Sequence, residues 1–143
     1  MGRILAIDYG KARIGLAITD ENQIMALPLK VIKALPSHLH TIEAILNEVS
    51  SYLPTITTII IGLPLHLDGR ESDMSQTVRQ FASLFEQKTD IPIHLIDERL
   101  TSKVAERSLM EIKQNRKKRS QSIDAVAASI FLQNYLDRKG NLA

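Results

Sequence analysis

Carboxylates at three places in the chain have surroundings that suit cation binding. Asp8 directly follows an apolar run, and Asp97 and Glu98 close another. Asp124 lies among small alanines near the end of the chain. Clustered carboxylates repel one another unless a cation neutralises them, and Mg²⁺ prefers oxygen ligands together with a substrate phosphate. The predicted chemistry is phosphodiester hydrolysis, in which two metal ions activate a water and stabilise the leaving oxygen.

Each of these carboxylates also has a purely structural interpretation. Asp8 could accept backbone N–H groups in a turn. Asp97 could pair with Arg99 or with a lysine, and Asp124 could complement the dipole of a helix that begins near it. Taken singly, Asp97 and Asp124 favour these structural roles. The strand pattern leaves open whether Asp97 or Glu98 would be a ligand.

Other kinds of site find little support in the sequence. The four histidines have no convincing metal-ligand spacing, so a zinc site is not expected. The chain has no cysteine, which excludes disulfides and thiolate ligands and fits a cytoplasmic protein. Neither a Gly-rich dinucleotide motif, nor a Walker A motif, nor a serine nucleophile elbow occurs. No stretch approaches the roughly 18 apolar residues that span a bilayer.

A group of basic residues near the C-terminal third has two interpretations. It could be a solvated loop, or it could contact phosphates. The net charge of +2 leans only mildly toward anionic partners. Aromatic residues make up 4% of the chain, so binding of nucleic acid on stacking platforms is not expected. The group consists of Lys113, Arg116, Lys117, Lys118 and Arg119.

The first part of the chain predicts an antiparallel meander. Alternating or continuous apolar residues indicate strands over 3–8, 13–19 and 24–33. Gly10 lies in the first turn, where it could adopt a positive φ at little cost. Pro28 makes the third strand an edge strand or one with a bulge.

Helices and strands then alternate along the rest of the single predicted domain of 143 residues. The order βββαβαβαα predicts an α/β fold, a five-stranded mixed sheet with helices on both faces. Parallel strands would bring the carboxylates to one rim, and the alanines beside Asp124 would let the last helix approach the sheet. The predicted elements are a helix capped by Ser37 and stopped by Pro54, a doubly buried strand over 55–62 parallel to the first, a helix over 72–88, a strand over 91–97, a helix capped by Thr101 or Ser102, and a last helix from Ser120 or Ser122.

Several motifs distributed over nearly the whole chain carry a family resemblance. They are Asp8-Tyr9-Gly10 with 13–17, Gly62-Leu63-Pro64 with Asp68-Gly69, Phe81-Ala82, 97–102, 123–128 and Tyr135-Leu136-Asp137. Through them the sequence resembles the YqgF/RuvX family of pre-16S rRNA nucleases, which are related to the RuvC Holliday-junction resolvases. The Asp-Glu-Arg-Leu-Thr block and the Asp-containing last helix are the specific parts of the match.

The resemblance implies an RNase H-like fold and a metal-dependent nuclease. Its catalytic and metal-binding residues match Asp8, Glu98 and Asp124, with two Mg²⁺ or Mn²⁺ ions. The implied partner is RNA, the 16S rRNA precursor trimmed at its 5′ end, or alternatively branched DNA, and the protein would act as a monomer or homodimer. The expected phosphate contacts are Lys11, Arg13, Arg99, Lys113, Arg116, Lys117, Lys118 and Arg119.

Two departures and two rival functions accompany this resemblance. His66 stands where the family often has Asn, and a surface loop position is favoured over a role in acid–base catalysis. The turn over 11–13 reads Lys-Ala-Arg, also unlike the common order. The first rival is nucleotide binding, since proteins of the actin, Hsp70 and sugar-kinase group share the Asp-x-Gly hairpin, but those proteins need two such domains. The second is a catalytically silent nucleic-acid-binding protein.

Overall fold

The computed structural model describes residues 1–98 and 122–142. The predicted order of elements is confirmed over these ranges, while the helix predicted to start at Thr101 or Ser102 lies outside them. The strands are β1 Arg3–Tyr9, β2 Arg13–Thr19, β3 Ala26–Lys33, β4 Ile56–Leu63 and β5 Ile93–Asp97, and the helices are α1 His38–Glu48, α2 Asp73–Glu86 and α3 Ser122–Leu142.

The five strands form one mixed sheet in the order β3-β2-β1-β4-β5. The pairs β1–β2 and β2–β3 are antiparallel, which confirms the meander and the edge position of β3. The pairing register between β2 and β3 shifts between Leu16 and Ala17, and Ala17 pairs with Pro28. The pairs β1–β4 and β4–β5 are parallel. The C-terminal ends of β1, β4 and β5 therefore share one rim of the sheet.

The larger apolar core lies between the sheet and the helices α1 and α2. β4 contributes fully buried side chains to both faces, because Ile59 and Ile61 point to this core while Ile60 points to the opposite face. Phe81 and Phe85 of α2 are fully buried here. The continuous apolar run of β4 thus reflects burial on both sides, as predicted.

The opposite face of the sheet is covered by α3. The sheet residues under the helix include Ala6, Ala17 and Ile60, and α3 adds Ala128 and Leu132. Small side chains on both partners let the helix approach the sheet closely. Within the described ranges, none of the helices combines the length and the apolarity needed to cross a membrane.

Several local predictions were wrong, among them the start of β5, which lies at Ile93 and not at residue 91. The helix α1 ends at Glu48, not at Pro54, which instead lies in a short 3-10 helix over Leu53–Thr55. β3 begins two residues later than predicted because the carboxylate of Asp20 accepts the N–H groups of Ile24 and Met25, which removes them from strand pairing. Gly10 does not have a positive φ. A Cβ at Gly10 would instead lie 2.5 Å from the carbonyl oxygen of Arg13, so the turn needs glycine for close approach.

The predicted cap of α1 was correct. Ser37 is the N-cap of α1 and accepts a hydrogen bond from the N–H of His40. The structure adds a cap for α2, where Ser72 forms a reciprocal capping box with Ser75.

Candidate active site

Asp8 lies near the C-terminal end of β1, on the face that α3 covers. Side chains alternate along a strand, and Ile4 and Ala6 of the same strand pack against α3. The next residue, Tyr9, points to the other face, where its ring centroid lies 4.8 Å from that of Phe81. Burial raises the pKa of the Tyr9 hydroxyl. The packing of Tyr9 fixes the end of β1 and therefore the direction of Asp8.

Two glycines flank Asp8 in the sheet, one on each neighbouring strand. Gly15 of β2 is registered directly opposite Asp8. On the other side Ile7 is registered with Ile61 of β4, so Gly62 is the next residue along and lies beside Asp8. Both glycines face α3, in line with Ala17 and Ile60. On both neighbouring strands, the residue beside Asp8 therefore has no side chain.

Gly62 leaves room for the carboxylate of Glu98. A Cβ placed on Gly62 would lie 2.5 Å from the Oε1 atom of Glu98 and 3.2 Å from its Cδ atom. Gly62 pairs with Ile96 of β5, and Glu98 follows that strand directly. The side chain of Glu98 thus turns back over β4 and occupies the space that any other residue at position 62 would fill.

Gly15 has the same role for the last helix. A Cβ on Gly15 would overlap the carbonyl oxygen of Asp124 and would lie 3.2 Å from the backbone N of Ala125. The first turn of α3 therefore rests directly on β2. Ala125, Ala127 and Ala128 are buried, which confirms that small residues allow this approach.

The carboxylate of Asp124 is buried and paired with Arg13. The Nε atom of Arg13 lies 3.0 Å from Oδ2 of Asp124, whose side chain is 7% exposed, while the side chain of Arg13 is 43% exposed. Arg13 and Gly15 belong to one face of β2. One strand therefore receives both the backbone and the carboxylate of Asp124.

Asp97 lies on the other face of the sheet. Its strand partner Leu63 and its neighbour Leu95 both belong to the core under α1 and α2, whereas Ile96 packs on the α3 side. By alternation, Asp97 points away from Asp8 and Glu98 points toward it. The two acids thus point to opposite faces of the sheet, and of the two only Glu98 lies on the face of Asp8.

The other predicted site residues have varied placements. Lys11 is exposed in the β1–β2 turn. His66 is exposed in a turn closed by a 2.9 Å hydrogen bond from the N–H of Gly69 to its carbonyl, and Gly69 has a φ of 91°. Arg99, Lys113, Arg116, Lys117, Lys118 and Arg119 lie outside the described residues.

The donor set around Asp8 consists of hard oxygen ligands, which suit Mg²⁺ or Mn²⁺. Gly15 and Gly62 leave space that a Cβ would fill. The backbone of Asp124 uses this space on one side of Asp8, and the carboxylate of Glu98 uses it on the other. Within residues 1–98 and 122–142, no three histidine or acidic side chains converge closely enough to hold a metal as they stand. The carboxylate of Asp124 forms an ion pair with the guanidinium of Arg13. The residues therefore fit a divalent ion in the chemistry of their oxygen donors.

Gly15 and Gly62 are the functional positions that reasoning from the sequence missed. Both lie in strand interiors, and glycine there weakens a strand unless another group must approach the backbone closely. That signal was available, since Gly15 interrupts the apolar run of β2 and Gly62 ends that of β4. The pairing of Arg13 with Asp124 had no sequence signal, because 110 residues lie between the two.

Known proteins resemble this chain over nearly its full length. A family model described as "RuvX: Holliday junction resolvase" matches residues 2–138. A protein of Protochlamydia amoebophila, named "Putative pre-16S rRNA nuclease", is 47% identical over 141 residues, and the alignment covers 96% of this chain and 94% of the relative. A protein of the same name from Maridesulfovibrio salexigens is 41% identical over 138 residues, covering 95% of this chain and 98% of the relative.

Two solved structures share the fold at low sequence identity. RuvC from T. thermophilus, in complex with Holliday junction substrate, has a TM-score of 0.57 and 14% identity, covering 98% of this chain and 97% of that one. The Holliday junction resolvase of fowlpox virus has a TM-score of 0.54 and 12% identity, with coverages of 95% and 99%. The likeness to RuvC confirms the RNase H-like fold class expected from the sequence.

Proposed function

The chain belongs to the RuvX family, and from that premise we propose that it is a metal-dependent nuclease that trims the 5′ end of the 16S rRNA precursor. The full-length relatives at 47% and 41% identity carry a name that points to this substrate. The reaction is hydrolysis of a phosphodiester bond. The catalytic residues in this proposal are Asp8, Glu98 and Asp124.

The observation that carries the proposal is the pair of glycines on the two strands beside Asp8. Asp8 is flanked by two glycines, and each glycine makes way for one of the other two acidic residues. Glycine in a strand interior costs stability, about 0.5–1 kcal/mol relative to alanine, so two of them beside a carboxylate indicate a functional constraint.

In the proposed mechanism, the carboxylates of Asp8, Glu98 and Asp124 would hold divalent ions, with Asp8 in the central position. When bound, Mg²⁺ or Mn²⁺ supplies an activated water and charge stabilisation for the leaving 3′ oxygen. The protein contributes the fixed position of each acid. The packing of Tyr9 sets Asp8, and the contact of α3 with Gly15 sets Asp124.

Basic residues beside the acids would hold the phosphate backbone of the substrate. Arg13 and Lys11 lie at the β1–β2 turn, at the same rim as Asp8. Phosphate contacts position a nucleic acid without reading its bases. Arg99 and the group from Lys113 to Arg119 are predicted from their charge to extend this grip. Binding should accordingly weaken steeply as salt is raised.

The decisive test replaces Asp8 by Asn and measures cleavage of a precursor 16S rRNA 5′ segment in Mn²⁺. The substitution keeps the shape of the side chain but removes the charge that would hold the ions. Loss of several kcal/mol of transition-state stabilisation corresponds to a decrease in kcat of about a thousandfold or more. Circular dichroism should show an unchanged fold.

The matched control is Asp90→Asn, an exposed acid that precedes β5 and therefore lies at the opposite end of the sheet. This variant should cleave at the wild-type rate. Wild-type activity of Asp8→Asn would contradict the proposal, as would equal losses in both variants.

Branched DNA is the second candidate substrate, favoured by the likeness of the fold to RuvC bound to a Holliday junction. A four-way DNA junction should be assayed beside the precursor RNA at equal concentrations. We expect a higher kcat/KM on the RNA. Preferential cutting of the junction would leave the nuclease proposal standing and would reassign its substrate.

A further inference from the structure

The buried carboxylate of Asp124 has a cation beside it that belongs to the protein. The Nε atom of Arg13 lies 3.0 Å from Oδ2 of Asp124. A carboxylate with a 7% exposed side chain has little access to water, so a positive partner offsets the cost of leaving its charge unpaired. The guanidinium therefore takes the place at Asp124 that the proposed function assigns to a divalent ion.

Arg13 itself is not buried with its partner. Its side chain is 43% exposed, and it lies in the first residue of β2, directly after the turn that carries Lys11. A long side chain anchored at the rim can move its charged end at little cost to the core. Its partner cannot move in the same way, because the backbone at Asp124 rests on Gly15. If this pair separates, Arg13 is the member that moves.

We propose that Arg13 is a positioning residue that exchanges partners during the working cycle. In the metal-free protein its guanidinium holds the Asp124 carboxylate, and once a divalent ion takes that carboxylate the guanidinium turns to a phosphate of the nucleic acid. Metal binding and nucleic-acid binding are then coupled through Arg13. The inference rests on the proposed function, since it takes Asp124 as a metal ligand.

The experiment uses the full chain and titrates Mn²⁺ alone by calorimetry, in the wild type and in Arg13→Gln. The glutamine removes the competing charge, so Mn²⁺ should bind about two- to fivefold more tightly, the range expected for loss of a half-exposed ion pair. Thermal unfolding with and without Mn²⁺ is the second readout. The variant should melt below the wild type without metal and should gain more from metal than the wild type does.

Binding of a labelled phosphorothioate RNA separates the exchange from simpler roles of Arg13. We expect the slope of log affinity against log salt to decrease by about 1 in Arg13→Gln when Mn²⁺ is present, and to stay at the wild-type value in EDTA. An arginine that always contacts phosphate would lower the slope in both conditions. If Arg13 only supports Asp124, the substitution would lower the salt slope neither with Mn²⁺ nor in EDTA. Either of these two results overturns the inference.

The matched control is Arg79→Gln, which removes a similar Nε–carboxylate pair, with Glu71 at 2.7 Å, from the other face of the sheet. It should leave both the Mn²⁺ affinity and the salt slope unchanged. Weaker Mn²⁺ binding in Arg13→Gln would also overturn the exchange. Asp124→Asn tells the two hypotheses apart, because wild-type Mn²⁺ affinity in that variant would reject Asp124 as a ligand and with it the proposed site.

Discussion

The two faces of the sheet are built from different side chains and have different tasks. The face under α1 and α2 is filled by bulky residues such as Ile59, Ile61 and Phe85, all fully buried. The face under α3 has Ala6 and Ala17 in the sheet, with Gly15 and Gly62 at the rim. The same five strands thus present bulky apolar side chains across one side, whereas the other side has Ile4 and Ile60 only away from the rim and glycines beside Asp8.

This difference separates stability from chemistry. Bulky apolar side chains stabilise by the area that they remove from water, and each carries a few kcal/mol. Small residues contribute little in this way, but they allow a helix backbone and a carboxylate to reach the sheet. Substitutions on the α1 and α2 face should therefore change the free energy of unfolding, and substitutions beside Asp8 should change catalysis.

The largest effect on stability is expected for Phe85→Ala, on the α1 and α2 face. Phe85 is fully buried and packs at 5.8 Å between ring centroids against Phe81. Removing the ring leaves a cavity and should lower the free energy of unfolding by about 3–5 kcal/mol. Urea denaturation measures this loss. The kcat per folded molecule should equal that of the wild type, and a decrease would show that the two faces are not independent.

Gly15→Ala should have the next largest effect, because it tests the contact between the sheet and α3. The added Cβ would meet the carbonyl oxygen of Asp124, which is backbone and cannot swing away. Overpacking of this kind costs about 1–3 kcal/mol, and α3 must shift to relieve it. We expect both lower stability in urea and a loss of cleavage, since Asp124 moves with the helix. A stable variant with full activity would show that the helix does not depend on this clearing.

Gly62→Ala should affect catalysis far more than stability. Its Cβ would meet the end of the Glu98 side chain, which can rotate away, so the free energy of unfolding should change by less than about 1 kcal/mol. The displaced carboxylate would no longer lie beside Asp8. Misplacement of a catalytic group by about 1 Å can lower kcat up to a hundredfold. Single-turnover cleavage in Mn²⁺ measures this loss.

The control for Gly62→Ala is Ile60→Val, two residues earlier on the same strand and the same face. Ile60 is fully buried, so this change should cost about 0.5–1.5 kcal/mol of stability without touching a carboxylate. Equal activity of the two variants would contradict the assignment of Gly62 to the site.

The sequence predicted the face of the sheet under α1 and α2 more completely than the face under α3. Hydrophobic periodicity placed all five strands, and it gave the buried residues of β4 because their burial depends on local pattern. The boundaries that failed depend on single hydrogen bonds, such as those from the N–H groups of Ile24 and Met25 to Asp20. Such bonds involve side-chain geometry that no periodicity encodes.

The residues of the candidate site were proposed from the sequence, but the packing around them was not. The family resemblance named Asp8, Glu98 and Asp124, yet it gave no reason why the backbone of Asp124 and the side chain of Glu98 approach the strands beside Asp8. The reason lies in Gly15 and Gly62. Because these residues have no side chain, parts of the chain that are distant in sequence can pack against them. Contacts between residues so far apart in sequence follow from topology, which is known only once the strands are ordered.

The smallest effect is expected for the exposed ion pair of Arg79 and Glu71, which offers a comparison with the pair of Arg13 and Asp124, in which the carboxylate is buried. The hydrogen bond from Arg79 lowers the pKa of the Glu71 carboxyl below its usual range. A lowered folded-state pKa means that the stabilisation is complete above the unfolded-state value near 4.5 and is lost as the pH falls through the folded-state value. Urea midpoints at pH 7 and at acidic pH, compared between wild type and Arg79→Gln, should therefore converge as the pH decreases. Because both side chains are largely in water, the difference at pH 7 should be small and should shrink further in high salt. A large or salt-resistant difference would mean that the exposed pair matters to the fold as much as a buried one.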